Sequence, residues 1–432
     1  MQYIKLDSCE ANEGRILYRF SVSDSIRRYF KLLILDVAYN ERIDNVPLSI
    51  LNIVFVSSML PLAWMLNAEI IVDELDEDFY NCLPDVVHGY GVVYPKWHMG
   101  GHVTVAQRIK NVPTGDGKTA TFFSAGVDAV HTLLAHRDEK PDLLLVWGAD
   151  IAVDNEQGWR IERGKVQEFS DKFHLPMCTI RSNYRQVDDE SLLEPIARVK
   201  LNDGYWHGIK HSLPLLGMSA PLAWKRKYRK VYIASTHCPE FNPPATCASN
   251  PWVDNAVRFC GTTIEHFGFE SNRQAKVDYI VKAHPEELPI HVCWITQSGE
   301  NCCKCEKCFR TITEFLAAGA DPAKYGFKGY EQYYKFNRII PILVQQFNAE
   351  KQAKRLDLNL IWDGARRKLI FNREMALRSP HKKVFRWMME HEFVGGAELL
   401  RLPPILRISR KSGQMLTFGR KVLKRIYSRG CK

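Results

Sequence analysis

Five cysteines crowd one short stretch of this chain, spaced Cys293-x8-Cys302-Cys303-x-Cys305-x2-Cys308. Whatever fold the chain adopts must turn tightly here and return Cys293 to the side of Cys302, Cys305 and Cys308. Four thiolates at these separations can close a tetrahedral metal site, and an all-cysteine site is usually structural. Cys303 is left over. Lys304, Lys307 and Arg310 flank the cluster and offset thiolate charge. Zinc and an iron–sulfur cluster would use the same ligands. Metal binding is favoured over a disulfide framework, because Met1–Asp7 shows no basic segment followed by an apolar run and so no export signal. The expected location is the cytoplasm, with no disulfide-linked partner.

The 432 residues are enough for two or three domains. The formal net charge is +10. Residues 401–432 hold ten Lys/Arg and no Asp/Glu, so the rest of the chain carries 49 charges of each sign. The basicity belongs to the tail. It does not mark a broad nucleic-acid-binding face. Between Asn45 and Ala68 the chain is uncharged, long enough to span a bilayer. Its Asn52, Ser57, Ser58, Pro61 and Asn67 favour a buried core helix instead.

The patterning predicts an α/β chain in three parts. Residues 1–115 form an N-terminal α+β unit, with strands over Arg15–Phe20 and Lys31–Asp36. A turn-rich segment from Asn111 to Gly117 closes it. Residues 116–330 alternate strands with helices, which predicts a doubly wound parallel sheet. The strands are Thr119–Phe123, Asp142–Trp147, Leu175–Ile180, Lys230–Ala234 and Ile290–Trp294. Helices are expected over Gly126–His136 and His207–Ala223. Residues 331–432 form a helical extension, clearest over Ile339–Phe347 and Lys382–Met389, ending in the basic tail.

The first of these strands leads into Ser124-Ala125-Gly126-Val127-Asp128-Ala129. A loop of small residues before a helix presents backbone N–H groups that can cradle phosphate. Ser124 adds a hydroxyl, Gly126 permits close approach and unusual backbone angles, and Asp128 would hold a magnesium ion or a loop amide. The segment resembles the Ser-Gly-Gly-x-Asp-Ser signature of PP-loop ATP pyrophosphatases. Ala125 stands where that signature has glycine, which requires a loop avoiding positive φ there. Ala129 stands where it has its last serine. The cysteine spacing downstream is similar to that of the 7-cyano-7-deazaguanine synthase family, whose four zinc cysteines follow this order with glycine at the place of Cys303. A lysine ahead of that family's cluster matches Lys276. The resemblance spans roughly residues 116–320 and covers neither the N-terminal unit nor the tail.

The resemblance implies a HUP/PP-loop-type fold, ATP and Mg2+ as ligands, and Zn2+ on Cys293, Cys302, Cys305 and Cys308. It also implies adenylation of a carboxylate or carbonyl oxygen with release of pyrophosphate, then displacement of AMP by a nucleophile such as ammonia. Residues 124–129 and Asp150 would hold the nucleotide, with Asp128, Lys276 and Arg273 acting on its phosphates. The substrate class stays open among small metabolites, sugars, peptides and nucleic-acid bases. Two rival functions stand beside this one. The two alanines suit a non-catalytic nucleotide- or partner-binding protein on a degenerate scaffold. The tail, with apolar residues from Ile405 to Ile426 among its basic ones, suits an RNA-modifying enzyme or peripheral contact with an anionic membrane.

Minor candidates are His237 at a strand end, Asp150 as nucleotide contact or helix cap, and the long loop from Glu240 to Asp254 as a lid. His207 and His211 lie one helical turn apart. Without a third ligand they read as an exposed face.

Overall fold

In the computed structural model, residues 2–112, 117–241, 245–293, 295, 300–352, 357–394 and 399–408 are described. The basic tail beyond residue 408 lies outside them, so the membrane and RNA expectations attached to it have no structural counterpart here.

One large mixed, mostly parallel sheet organises the chain. Its strands are β1 (Tyr3–Asn12), β2 (Arg15–Val22), β3 (Ile34–Tyr39), β4 (Glu69–Asp76), β5 (His102–Ile109), β6 (Lys118–Phe122), β7 (Asp142–Trp147), β8 (Met177–Ser182), β9 (Tyr228–Ala234), β10 (Arg258–Phe259) and β11 (Thr262–Phe267). They lie in the order β10-β11-β9-β6-β7-β8-β3-β2-β1-β4-β5. The run from β11 to β8 is parallel throughout. The N-terminal strands continue the same sheet, because β3 pairs antiparallel with β8 through Val37–Ser182, Ala38–Arg181 and Tyr39–Ile180.

The continuous apolar run of β7 fits a strand covered on both faces. The uncharged segment forms the helix Leu48–Leu66, which covers β1, β4 and β5. It is long and apolar enough to cross a membrane, yet 94% of its 18-residue apolar window is buried inside the protein. It packs on β4 and on the helix Leu213–Met218. Its polar groups find partners: Asn52 Nδ2 donates to the Glu74 carbonyl at 2.9 Å, and Ser58 Oγ to the Val54 carbonyl at 2.7 Å. The expected helix over His207–Ala223 is broken at its prolines into a π-helical turn (Trp206–Lys210) and two short helices, Leu213–Met218 and Ala220–Arg226. Lys210 of that turn is fully buried against Asp188, Nζ to Oδ2 2.5 Å. Tyr205 Oη also donates to that carboxylate oxygen at 2.7 Å.

One expectation needs correction. Ile290–Cys293 is not a strand; it runs as an irregular segment across the loop after β6, where the His291 N–H donates to the Ala125 carbonyl at 2.9 Å. Trp294 lies outside the described residues. The fifth parallel strand is β11, whose alternating Thr262–Phe267 pattern pairs with β9. In the helical extension, Phe336–Gln352 and Lys382–Glu390 form as anticipated, and Asp357–Phe371 packs against Arg273–Ala283 and Glu306–Ala317.

Removing one partner of a fully buried ion pair strands the other charge. Lys210→Met is therefore expected to cost about 3–5 kcal/mol in a urea unfolding titration. A loss below about 1 kcal/mol would mean that Asp188 is satisfied without the ammonium.

Candidate functional site

The strand order within the parallel run places a switch point between β6 and β9, from which the chain winds outward both ways. Clefts at the carboxyl ends of such strands are where ligands bind in open α/β sheets. The loop Phe123–Gly126 leaves β6 at that place and opens the helix Val127–Ala135. Ser124 is exposed, whereas Ala125, Val127 and Ala129 are buried. The first amides of a helix have no acceptor within it. The N-cap is Gly126, with no side chain to take them.

The backbone corrects one detail of the sequence reading. Ala125 adopts φ 54°, the left-handed region it was expected to avoid. Gly126 has φ −77°, open to any residue, and an added Cβ would meet nothing nearer than 3.5 Å. The conformational demand therefore falls one position earlier than the glycine. Ala125→Gly is expected to raise stability by about 0.5–1 kcal/mol, because it removes left-handed strain at a modest entropic cost. An unfolding midpoint that stays put or falls would count against strain at this loop.

Asp128, in the first turn, is bracketed by two cations from the helix Arg273–Ala283. Arg273 Nη1 donates to its Oδ2 at 2.8 Å, and Lys276 Nζ lies 3.4 Å from Oδ1. Burial alone would raise the Asp128 carboxyl; Lys276 first and Arg273 second outweigh it and hold the group below the usual range. Lys276 is buried and also donates to the Ser235 carbonyl just past β9, so it spans the switch point. The helix carrying both cations starts at Asn272, whose side chain accepts from the Ala275 N–H at 3.0 Å.

Sequence reasoning missed the floor of the site. Arg273 reaches Glu314 Oε2 through Nε at 3.2 Å and Thr311 Oγ1 through Nη2 at 3.3 Å. Both come from the helix Glu306–Ala317, which begins inside the cysteine cluster. Burial pushes the Glu314 carboxyl up to about 7, against the pull of Arg273 and Arg310. Lys307 and Arg310 belong to the same helix. Burial lowers the Lys307 ammonium, and the nearby charges of Arg310 and Arg273 lower it further, while Asp150 opposes. Asp150 thus sits within electrostatic reach of the cationic floor, exposed past the end of β7. It is not a helix cap, since Asn155 caps the following helix. The signal available in the sequence was the one-face spacing of Lys307, Arg310, Thr311 and Glu314.

The four expected cysteines meet. The sulfurs of Cys293, Cys302, Cys305 and Cys308 all lie within 4.8 Å of one another and could hold a metal ion such as zinc. Cys302 and Cys308 are 3.8 Å apart, close to the roughly 3.8 Å that tetrahedral bonds of about 2.3 Å require. Backbone N–H groups point at the sulfurs: Lys304 and Cys305 at Cys302 (3.4 and 3.3 Å), and Cys308 at Cys305 (3.5 Å). Asn301 holds the turn, donating to the Ile290 carbonyl at 2.7 Å and accepting from the Val292 N–H at 3.0 Å. Cys303 turns away at φ 52°, its sulfur 3.5 Å from the Asn301 carbonyl, and burial raises its thiol to about 12. It is the spare cysteine, as expected.

His237 stacks edge-on against Phe241, ring centroids 5.2 Å apart, and its carbonyl accepts from Ser235 Oγ. His207 is exposed, but His211 is half-buried and its Nε2 faces the Cys247 sulfur at 3.8 Å, a third group that the sequence reading did not bring to them. The described part of the Glu240–Asp254 loop is tied down: the Ala248 N–H donates to the His207 carbonyl at 2.8 Å, and Asn272 Nδ2 to Glu240 at 3.0 Å.

No family model, curated protein or solved structure matches this chain. The metal site makes its own prediction. The purified protein should carry one zinc equivalent by elemental analysis, and Cys308→Ser should lose it and lower the unfolding temperature. Full zinc retention in Cys308→Ser would exclude the four-cysteine site.

Proposed function

We propose that the chain is an ATP pyrophosphatase of the PP-loop type, which adenylates a carboxylate or carbonyl oxygen. The observation that carries this reading is the bracketed Asp128 at the switch point. A small-residue loop and helix start lie on one side of it, and two buried cations lie on the other. The order of the parallel strands and the adjoining four-cysteine cluster are compatible with such a fold.

The residues fit a polyphosphate with its magnesium ion. Ser124 and the loop amides offer donors outside the helix, and Asp128 offers the one carboxylate of the helix's first turn. Bound ATP would supply an electrophilic α-phosphate and a pyrophosphate leaving group. Lys276 and Arg273 are held in place by Ser235, Glu314 and Thr311, so their charge is preorganised and needs no rearrangement as negative charge develops. Asp128 keeps that charge in check when no anion is bound. Lys307 and Arg310 deepen the positive floor, and Asp150 stands at its rim. The acid to be adenylated and the nucleophile that displaces AMP stay unassigned.

Calorimetry with Mg-ATP tests the reading. The wild type should bind, and Lys276→Met should weaken binding at least tenfold and cut pyrophosphate release about 100-fold with a competent acceptor. Asp128→Ala should remove the dependence on magnesium. A wild type that binds no ATP, with or without magnesium, would sink adenylation and favour the non-catalytic scaffold. Buried Ala129, in the place of a phosphate-facing hydroxyl, would then be its mark.

A further inference from the structure

A second cluster of reactive groups lies in the connections that precede and follow β9. Asp203, His207 and His211 come from the segment before the strand, and Cys247 from the loop after it. His207 Nδ1 sits 2.9 Å from Asp203 Oδ2, and its ring lies 6.2 Å from that of His211, near enough to the Cys247 sulfur to act on it electrostatically. His211 Nδ1 faces the Trp206 carbonyl at 3.2 Å, and its Nε2 faces the same sulfur at 3.8 Å. Asp203 is itself held, accepting from the Gly204 N–H at 2.7 Å. The π-helical turn Trp206–Lys210 carries His207 and ends at His211, and such turns are frequent at functional sites. The Ala248 N–H bond to the His207 carbonyl and the Asn250 Nδ2 bond to the Cys247 carbonyl (3.0 Å) fix the cysteine loop against it.

We propose that Cys247, His207 and Asp203 form a nucleophile, base and positioning group that accepts an acyl group from an activated carbonyl compound. The arrangement has the three parts that activate a cysteine: the thiol, an imidazole beside it, and a carboxylate that fixes the imidazole's tautomer and orientation. Cys247 is 6% exposed and the His207 side chain 48% exposed, so an acyl donor approaches over the imidazole.

Electrostatics agree with the geometry. Burial would raise the Cys247 thiol, yet His211 and then His207 bring it well below its ordinary value. Burial would lower His207, yet Asp203 and Cys247 raise it to about 10. Tyr90 and Tyr94, from the helix Glu77–Val93 and the residue after it, are the other titratable groups facing the sulfur. Burial keeps both phenols protonated. Asp254 lies beyond, engaged by Ser212, Ser249 and His266. Together these effects favour a thiolate–imidazolium pair.

The chemistry balances without a further reactant. The thiolate attacks the carbonyl carbon, the bond to the leaving group breaks, and the leaving group takes the electron pair and the His207 proton. Neutral His207 then takes a proton from water or another acceptor as it attacks the thioester. Cys247 departs as thiolate, which restores the pair. Asp203 acts only through His207. None of this depends on the nucleotide reading.

The test uses the full-length protein, iodoacetamide and p-nitrophenyl acetate, with peptide mass mapping. Cys247 should alkylate at nearly equal rates at pH 6 and pH 8.5, whereas an ordinary thiol slows about tenfold per unit below its pKa of about 8.5. One acetyl group should appear on Cys247, accompanied by a burst of nitrophenolate, and Cys247→Ser should abolish both. Asp203→Asn should restore a steep pH profile, and Asp203→Glu should recover part of the flat one. Three results would overturn the proposal: a steep wild-type profile, no labelling of Cys247 in the folded protein, or a second zinc equivalent that vanishes in His207→Gln. The last would make the cluster a metal site.

Discussion

The buried guanidinium of Arg273 is the group on which the rest of the candidate site depends. A buried arginine without counter-charge is very costly, so its three contacts cannot be lost singly without consequence. Asp128 lies in the first turn of the helix after β6; Glu314 and Thr311 lie on the helix that leaves the cysteine cluster. Lys276 extends the network to the end of β9. One cation thus joins the start of the switch-point helix to the helix of the cysteine cluster, and a second joins it to the neighbouring strand. The spacing of the loop, the floor and the sheet edge follows from satisfying these charges.

This explains why the cysteine cluster can matter to a site that it does not enter. The helix Glu306–Ala317 begins at Cys305, whose sulfur accepts from the Cys308 N–H at its first turn. Two turns later the same helix presents Thr311 and Glu314 to Arg273. The segment leading into the cluster also holds the loop, since His291 caps the Ala125 carbonyl. Gathering four thiolates therefore fixes both ends of the arrangement, the helix that carries the floor and the strap that pins the loop. A metal held there would give the fold a rigidity that the irregular Ile290–Cys293 segment would not have from its own backbone pairing.

What the sequence made legible follows from how local each signal is. The cysteines, the β7 run, the uncharged core helix and the β6 loop are each written in a short window, and each stands where it was read. Ile290–Cys293 misled because an apolar segment covering a loop has the same pattern as a short buried strand. The weaker alternation of Thr262–Phe267 was the strand. Arg273 is separated from its partners, and His207 from Cys247, by about forty residues or more, and nothing local announces such pairings. Ala125 misled for another reason. Its left-handed φ is imposed by the strap over its carbonyl and by the chain's path from β6 into a helix, so the tertiary structure overrides a side-chain preference worth only about 1–2 kcal/mol.

The two candidate centres differ in the kind of charge they preorganise. Two cations bracket the Asp128 carboxylate, and Lys276 and Arg273 are locked by neutral carbonyl, hydroxyl and buried carboxylate partners. That suits a polyanion, whose arrival replaces one carboxylate in an environment already arranged for negative charge. Around Cys247 the imidazoles carry the positive charge and a single sulfur faces them, with Asp203 behind. That suits a soft nucleophile with a proton held nearby, and offers no comparable seat for phosphate. Both flank β9, one at Ser235 directly past its end and the other on the loop that continues from it. A chain that activates an acid at one place and carries a thiolate at the other has the two kinds of group needed to handle acyl chemistry.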